Sequence, residues 1–274
     1  MNENIGFELR EVNRLQYYII PSFEQTGLVK HGFTTRFGGL SPKPFNTLNL
    51  GLKTEDDKEN IMKNFERVSN AFNVSMEKMV LSDQVHDTVI RIVTEEDAGK
   101  GLTKSMDYSK VDGLLTNVND LMLLTFYADC VPLFFLDKTK KVIGVAHAGW
   151  KGTVARIGEK MVKTMQKVFC SNPEDILVGI GPSIGSCCYP VRKDVYDKFH
   201  TNLSSIEEVL LKESTDVWKL DLWKANQNIL EENGILSRNI TVSGLCTSCY
   251  NEKFFSYRKE NGRTGRMAAL IQLV

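Results

Sequence analysis

Residues 121–150 read LMLLTFYADC VPLFFLDKTK KVIGVAHAGW, and the fold turns on how this stretch is divided. Two apolar runs, 121–127 and 131–136, have strand length and are broken by Asp129. A third, 142–146, follows the polar group 137–141, which reads as a hairpin connection. Together with 111–116 these give strands over 111–116, 121–127, 132–136 and 142–146, bounded by turn residues.

Upstream, 17–20 and 29–35 read as strands, followed by a Gly/Pro/Asn-rich loop over 38–51. Ile61, Phe65, Val68 and Phe72 recur at spacings of three and four, which predicts a helix over 55–72. Short β-type runs at 79–82 and 88–93 enclose His86. Downstream, Val154, Ile157, Met161, Met165 and Val168 form one stripe of a long helix over 153–169 that faces a core. A strand over 176–180 runs into Gly181-Pro182. Helices follow over 192–199 and 221–232, the second closed by Asn233-Gly234. Strands over 240–245, 254–257 and 266–272 end the chain. Strands come in runs with helices between the runs, so the class is α+β, mixed sheets covered by helices. No linker or repeat interrupts the 274 residues, which read as a single domain over 1–274.

Hydrophobic residues make up 42% and charged residues 25%, enough for a substantial core. The 34 Lys plus Arg balance 34 Asp plus Glu, so no global field recruits nucleic acid or an anionic membrane, and a small-molecule substrate is expected. The polar start, Met1 to Arg10, lacks the apolar region of an export signal, and no apolar run approaches the ~20 residues of a membrane helix. The cytoplasm is the expected compartment, and the six cysteines are read as reduced thiols rather than a disulfide scaffold. A homodimer is an open expectation that no residue pattern carries.

Three residues at predicted strand ends stand out: His86, Cys130 and His147. Two imidazoles and a thiolate suit zinc, and three protein ligands leave a fourth position for water or substrate, as in catalytic sites. Zinc lowers the pKa of bound water towards ~7. Sequence spacing does not bring the three together, and the alternative is two hydrogen-bonded core histidines and a buried thiol.

The motifs around them carry a resemblance. Leu81-Ser-Asp-Gln-Val-His86, Ala128-Asp-Cys-Val-Pro132, His147-Ala-Gly-Trp-Lys-Gly152, Gly181-Pro-Ser-Ile-Gly-Ser-Cys-Cys-Tyr189 and Phe255-Ser-Tyr-Arg258 with Gly265-Arg266 occur in that order. The sequence resembles the laccase-domain (YfiH-like) family, first described as multicopper polyphenol oxidases and now read as purine nucleoside phosphorylases with adenosine deaminase activity. The resemblance implies a four-layer α/β/β/α sandwich with mixed β-sheets, and His86, Cys130 and His147 as zinc ligands. It also implies phosphorolysis of adenosine, inosine and methylthioadenosine to base and ribose 1-phosphate, with purine nucleosides and phosphate as the small-molecule partners. A multicopper centre needs many histidines and the chain has four, so His31 and His200 would have to join the other two. Copper in place of zinc would make a polyphenol oxidase side activity.

Further candidates each have a plain alternative. Arg36 precedes the Gly-rich loop and could grip phosphate, or it is a solvated arginine at a strand end. Gly149-Trp-Lys-Gly-Thr153 could bind an anion through free N–H groups, with Lys151 assisting, or it packs strand on helix with Trp150 in the core. Asp129, on the opposite face from Cys130 if the strand stays regular, could orient an imidazole or act as a base, or it is a hydrogen-bonded turn carboxylate. Asp83 and Gln84 are candidates to support His86. Arg258 and Arg266 could line the site or pair with surface carboxylates. Cys246-Thr-Ser-Cys249 is a CxxC, but a four-cysteine site would need a second one and Cys187-Cys188 are adjacent. These thiols are therefore read as buried or pocket-side, and Cys170 as structural.

Two other functions use the same residues. In a cysteine hydrolase or amidase, Cys130 is the nucleophile, His147 the base and an aspartate orients the ring. In a binding module the zinc is purely structural, a role for which a fourth protein ligand is missing.

Overall fold

The computed structural model describes residues 6–274; the first five residues of the polar N-terminal stretch lie outside them. Residues 121–150 form three strands, Met122–Tyr127, Val131–Asp137 and Val142–Ala148. The last two make the expected antiparallel hairpin with Asp137 opposite Val142. Asp137 Oδ1 accepts the N–H groups of Thr139 and Lys140 and so shapes the turn. Met122–Tyr127, by contrast, does not pair with Val131–Asp137. The chain crosses between two sheets at Ala128–Cys130, where Asp129 takes φ +87°.

The first sheet runs Glu8–Val12, Leu15–Ile19, Val29–Thr34, Met267–Leu273, Met122–Tyr127, Met79–Leu81. Only its last pair is parallel. The second runs Ile240–Val242, Ile176–Ile180, Val131–Asp137, Val142–Ala148, Gly113–Thr116, Ile90–Ile92, with a parallel pair at each edge. A small antiparallel sheet joins Pro190–Val191, Val217–Leu220 and Leu210–Ser214, a hairpin without clear marks in the sequence.

Strand alternation builds the layers. Leu123, Tyr127 and Ile271 of the first sheet meet Phe134, Leu136 and Val145 of the second in a shared core. The other face of the first sheet, with Met122, Leu124 and Leu270, is covered by Ile61, Phe65 and Val68 of helix Lys58–Phe72. On the far side, Leu133, Phe135 and Ala146 pack under helices Ile157–Phe169 and Leu222–Glu232. This is the α/β/β/α sandwich with mixed sheets. Both faces of the central strands are buried, so their sequences read as continuous apolar runs. No helix among the described residues is long and apolar enough to cross a membrane.

Several expected elements differ. The helix predicted from residue 55 starts after Asp57, whose carboxylate caps it by accepting the Glu59 N–H. The helix expected over 153–169 is two helices, Trp150–Val154 and Ile157–Phe169. Arg156 breaks it at φ +61°, with its guanidinium tied to Glu159 and to Glu232 on the neighbouring helix. Val168, expected on the buried stripe, lies half in solvent near the helix end. Residues 254–257 are not a strand. Phe254 and Phe255 are fully buried, but the Phe255 N–H goes to Met267 Sδ and the Ser256 N–H to Glu260, which leaves no ladder.

Candidate metal centre and its pocket

His147 sits inside the strand Val142–Ala148, one residue before its end, and is almost fully buried. Cys130 immediately precedes the strand Val131–Asp137, and Pro132 stands opposite His147 across the hairpin. His86 comes from the loop after Met79–Leu81, in left-handed backbone with φ +65°. The three ligand atoms lie within 4.8 Å of one another. Cys130 Sγ is 3.8 Å from His86 Nε2, and the two imidazole rings meet edge-to-face with centroids 4.7 Å apart. Gly149 makes the approach possible: a Cβ there would stand 3.0 Å from both Cys130 Sγ and His86 Cδ2.

The residue that assembles this cluster is one the sequence reading missed. Asp112 is fully buried, and its Oδ1 lies 2.8 Å from His147 Nδ1. Its two oxygens also accept the N–H groups of Val85, His86 and Asp87, each at 3.0 Å. One carboxylate thereby orients a ring and pins the loop that carries the other histidine. The available signal was an acid, Val111-Asp112-Gly113, at the mouth of an apolar strand, because a carboxylate buried there must find donors. Burial opposes its charge, but the His147 ring and the N–H groups hold Asp112 below the usual carboxylate range.

The same balance acts on the thiol. Burial disfavours the Cys130 thiolate, yet the charged form of His147 and hydrogen bonds from both histidines bring the thiol down to about 6. Burial likewise opposes the His147 imidazolium, but Cys130 and Asp112 raise it to about 9. Each of the two groups thus favours the charged form of the other. Two imidazole nitrogens and a thiolate in one cluster, with His147 Nδ1 engaged by Asp112 and Nε2 left to point at the cluster, are a donor set that fits zinc.

The cluster opens into a cavity of about 880 Å³. Its walls include Met106, Phe126, Trp150, Tyr189, Leu222 and Tyr257. Lys104, Arg258 and Arg266 also line it, and none of the three forms an ion pair among the described residues. The Arg258 guanidinium lies 5.1 Å over the Tyr189 ring. Lys104 was not singled out in the sequence.

Other candidates fall elsewhere. Arg36 does not line the cavity: its guanidinium pairs with Glu260 at 3.1 Å, donates to the Asn46 and Asn251 carbonyls and stacks on Phe255. Its work is to tie the Gly-rich loop to the C-terminal segment, so the expected grip on phosphate is corrected. Lys151 is exposed and also outside the cavity lining, because its helix turns it outward beside Trp150. Trp150 is half-buried on the pocket wall rather than in the core. Asp129 is buried next to the cluster. Its φ of +87° breaks the alternation expected there, and its oxygens accept the Thr247 hydroxyl and the Arg258 N–H, both at 2.7 Å. It therefore anchors the Arg258 segment, while Asp112 orients the imidazole.

Asp83 pairs with Lys53 at the rim. Gln84 bonds both the N–H and the carbonyl of Phe126, which splices the His86 loop onto the first sheet. His31 accepts the Ile20 N–H inside the first sheet, and His200 stacks on Tyr196. Neither reaches the cavity, so no four-histidine set forms. Cys170 caps its helix in left-handed backbone and is exposed. The reading of these thiols as buried or pocket-side, with the adjacency of Cys187-Cys188 counting against a four-cysteine site, is corrected: the sulfurs of Cys187, Cys188, Cys246 and Cys249 converge within 4.8 Å, only Cys246 is buried, and none lines the cavity.

Comparison with known proteins agrees with this architecture. A family model described as multi-copper polyphenol oxidoreductase laccase matches residues 30–274. The purine nucleoside phosphorylase YlmD of Bacillus subtilis is 43% identical over 241 residues, 88% of this chain and 87% of that protein. The crystal structure of Bacillus licheniformis hypothetical protein YfiH superposes with a TM-score of 0.91 at 37% identity, covering 97% of this chain and 99% of that one. YlmD from Geobacillus stearothermophilus superposes at 0.90 with 36% identity, covering 98% of each chain. The chain belongs to the multi-copper polyphenol oxidoreductase laccase family.

Proposed function

We propose that this protein is a zinc-dependent purine nucleoside phosphorylase that cleaves adenosine, inosine and methylthioadenosine with phosphate to the free base and the ribose 1-phosphate. Deamination of adenosine to inosine is the second proposed reaction of the same site, and polyphenol oxidation a side activity when copper replaces zinc. The observation that carries the reading is the set of cations Lys104, Arg258 and Arg266, none in an ion pair among the described residues, facing the cavity that His86, Cys130 and His147 open into. Relatives named purine nucleoside phosphorylase support it. The proposed compartment is the cytoplasm.

Zinc held by the three residues would supply a Lewis acid at the pocket floor. The chain's own groups do the rest. Arg258 and Arg266 bind phosphate as fixed charges, and Lys104 adds a mobile one. Tyr189, Tyr257 and Phe126 offer apolar faces to the purine and keep water from the glycosidic bond. Asp129 positions Arg258 through its backbone. Asp112 keeps the Nδ1 proton of His147 engaged and its Nε2 free. Adenosine incubated with folded, metal-loaded protein yields adenine and ribose 1-phosphate only when phosphate is added, and inosine in the mixture reports the deaminase. If no nucleoside is consumed, the reading is wrong.

The second reading, a cysteine hydrolase, is favoured by one specific arrangement, the Cys130–His147–Asp112 relay, in which thiol and imidazole each favour the charged form of the other. Alkylation separates the two. In metal-stripped protein, iodoacetamide labels Cys130 with a rate that stays high from pH ~8 down to about 6 and falls below it. Zinc slows the labelling by at least about 10-fold if the thiolate is a ligand. Unprotected labelling at saturating zinc favours the hydrolase. Peptide mapping by mass spectrometry reads both.

A further inference from the structure

We propose that Cys187, Cys188, Cys246 and Cys249 bind a second zinc ion, a structural one, behind the wall of the pocket. The proposed reaction uses none of these thiols, and all four are unbridged.

Their meeting follows from the sheet. Ile176–Ile180 and Ile240–Val242 are parallel neighbours, so both chains leave the sheet at the same end. Pairing continues past the strands: the Ser243 N–H goes to the Ile180 carbonyl, the Ser183 N–H to Leu245 and the Thr247 N–H to Ser183. This register sets Cys246 beside Ser183. The turn Ser186–Cys188 then brings Cys187 and Cys188 over the Cys246–Cys249 loop. Cys249 Sγ is 3.5 Å from Cys187 Sγ and 3.4 Å from Cys188 Sγ. All four sulfurs lie within 4.8 Å of one another.

Four zinc–thiolate bonds of about 2.3 Å in a tetrahedron place the sulfurs roughly 3.8 Å apart, so the ion fits with shifts of well under ~1 Å. The Cys246 sulfur accepts the Gly185 N–H at 3.3 Å, the kind of outer hydrogen bond that steadies a ligating thiolate. Cys246-Thr-Ser-Cys249 has the short chelate spacing of structural zinc sites.

A divalent cation among four sulfurs held this close would neutralise their thiolate charge. Four sulfurs close the coordination sphere, so this ion has no open position and does no chemistry on substrate.

Its effect is on the pocket wall. Thr247, inside the chelate loop, donates to Asp129, which holds the Arg258 N–H and precedes Cys130. Ile184 and Tyr189, on either side of the Cys187–Cys188 turn, line the cavity. A zinc on the four thiols would lock both segments against the pocket.

The test is zinc stoichiometry in full-length protein purified anaerobically with zinc and a reductant and then freed of loosely bound metal. Wild type holds about two zinc ions per chain, and both the double variant His86→Ala/Cys130→Ala and the single variant Cys249→Ser hold about one. Cobalt loaded into the double variant shows the intense sulfur-to-metal charge-transfer absorption of a four-thiolate site, which persists even if Cys249→Ser folds poorly. A double variant without zinc, or a cobalt spectrum lacking the sulfur bands, overturns the proposal.

Discussion

Cys130→Ala lowers kcat/KM for adenosine phosphorolysis by more than about 100-fold while the chain stays folded. Even a residue that merely orients a ligand is worth about 10- to 100-fold, so removing the only anionic ligand of the cluster costs at least that. Without the thiolate, two neutral imidazoles would hold a zinc ion weakly, and among the described residues no other carboxylate or thiol joins the three ligand atoms, since Asp112 engages the far nitrogen of His147. Stability changes little, because Cys130 is only half-buried and its sulfur borders an open cavity. Steady-state kinetics with phosphate in excess, beside a thermal melt, checks both halves. Retained activity in a folded variant would remove Cys130 from the mechanism.

Asp112→Asn acts on structure and metal together. The carboxylate takes one ring and three backbone N–H groups, whereas an amide turns two donors of its own towards them. Leaving one or two of those donors unpaired in a buried site costs on the order of 3 kcal/mol, a fall in Tm of roughly 5 °C. The His147 ring loses its partner, and zinc binding weakens by about 10- to 100-fold. A melt of metal-free protein measures the first effect, and competition with a chelator the second. An unchanged zinc affinity would mean that the Asp112 contact does not orient the ligand.

The sequence by itself determined the elements and the class. The apolar runs at 121–127, 131–136 and 142–146 are strands because both of their faces are buried, and Ile61, Phe65 and Val68 mark their helix because one face is. The order of the five motifs was legible too, and with it the family. Only the tertiary structure decided which strands pair, and hence what meets. The chain changes sheets at Asp129, which sets Cys130 beside His147 rather than beyond a regular strand. The antiparallel register of Gly113–Thr116 on Val142–Ala148 brings Asp112 under His147, and the parallel pairing of Ile176–Ile180 with Ile240–Val242 gathers four thiols whose spacing looked wrong. Arg36, charged and next to glycines, is drawn to Glu260, 224 residues away. Periodicity reports the burial of a residue relative to its near neighbours, because that is all a repeating backbone geometry constrains. Register between distant segments is set by how whole faces pack, so a site built from several loops becomes visible only once those faces have closed.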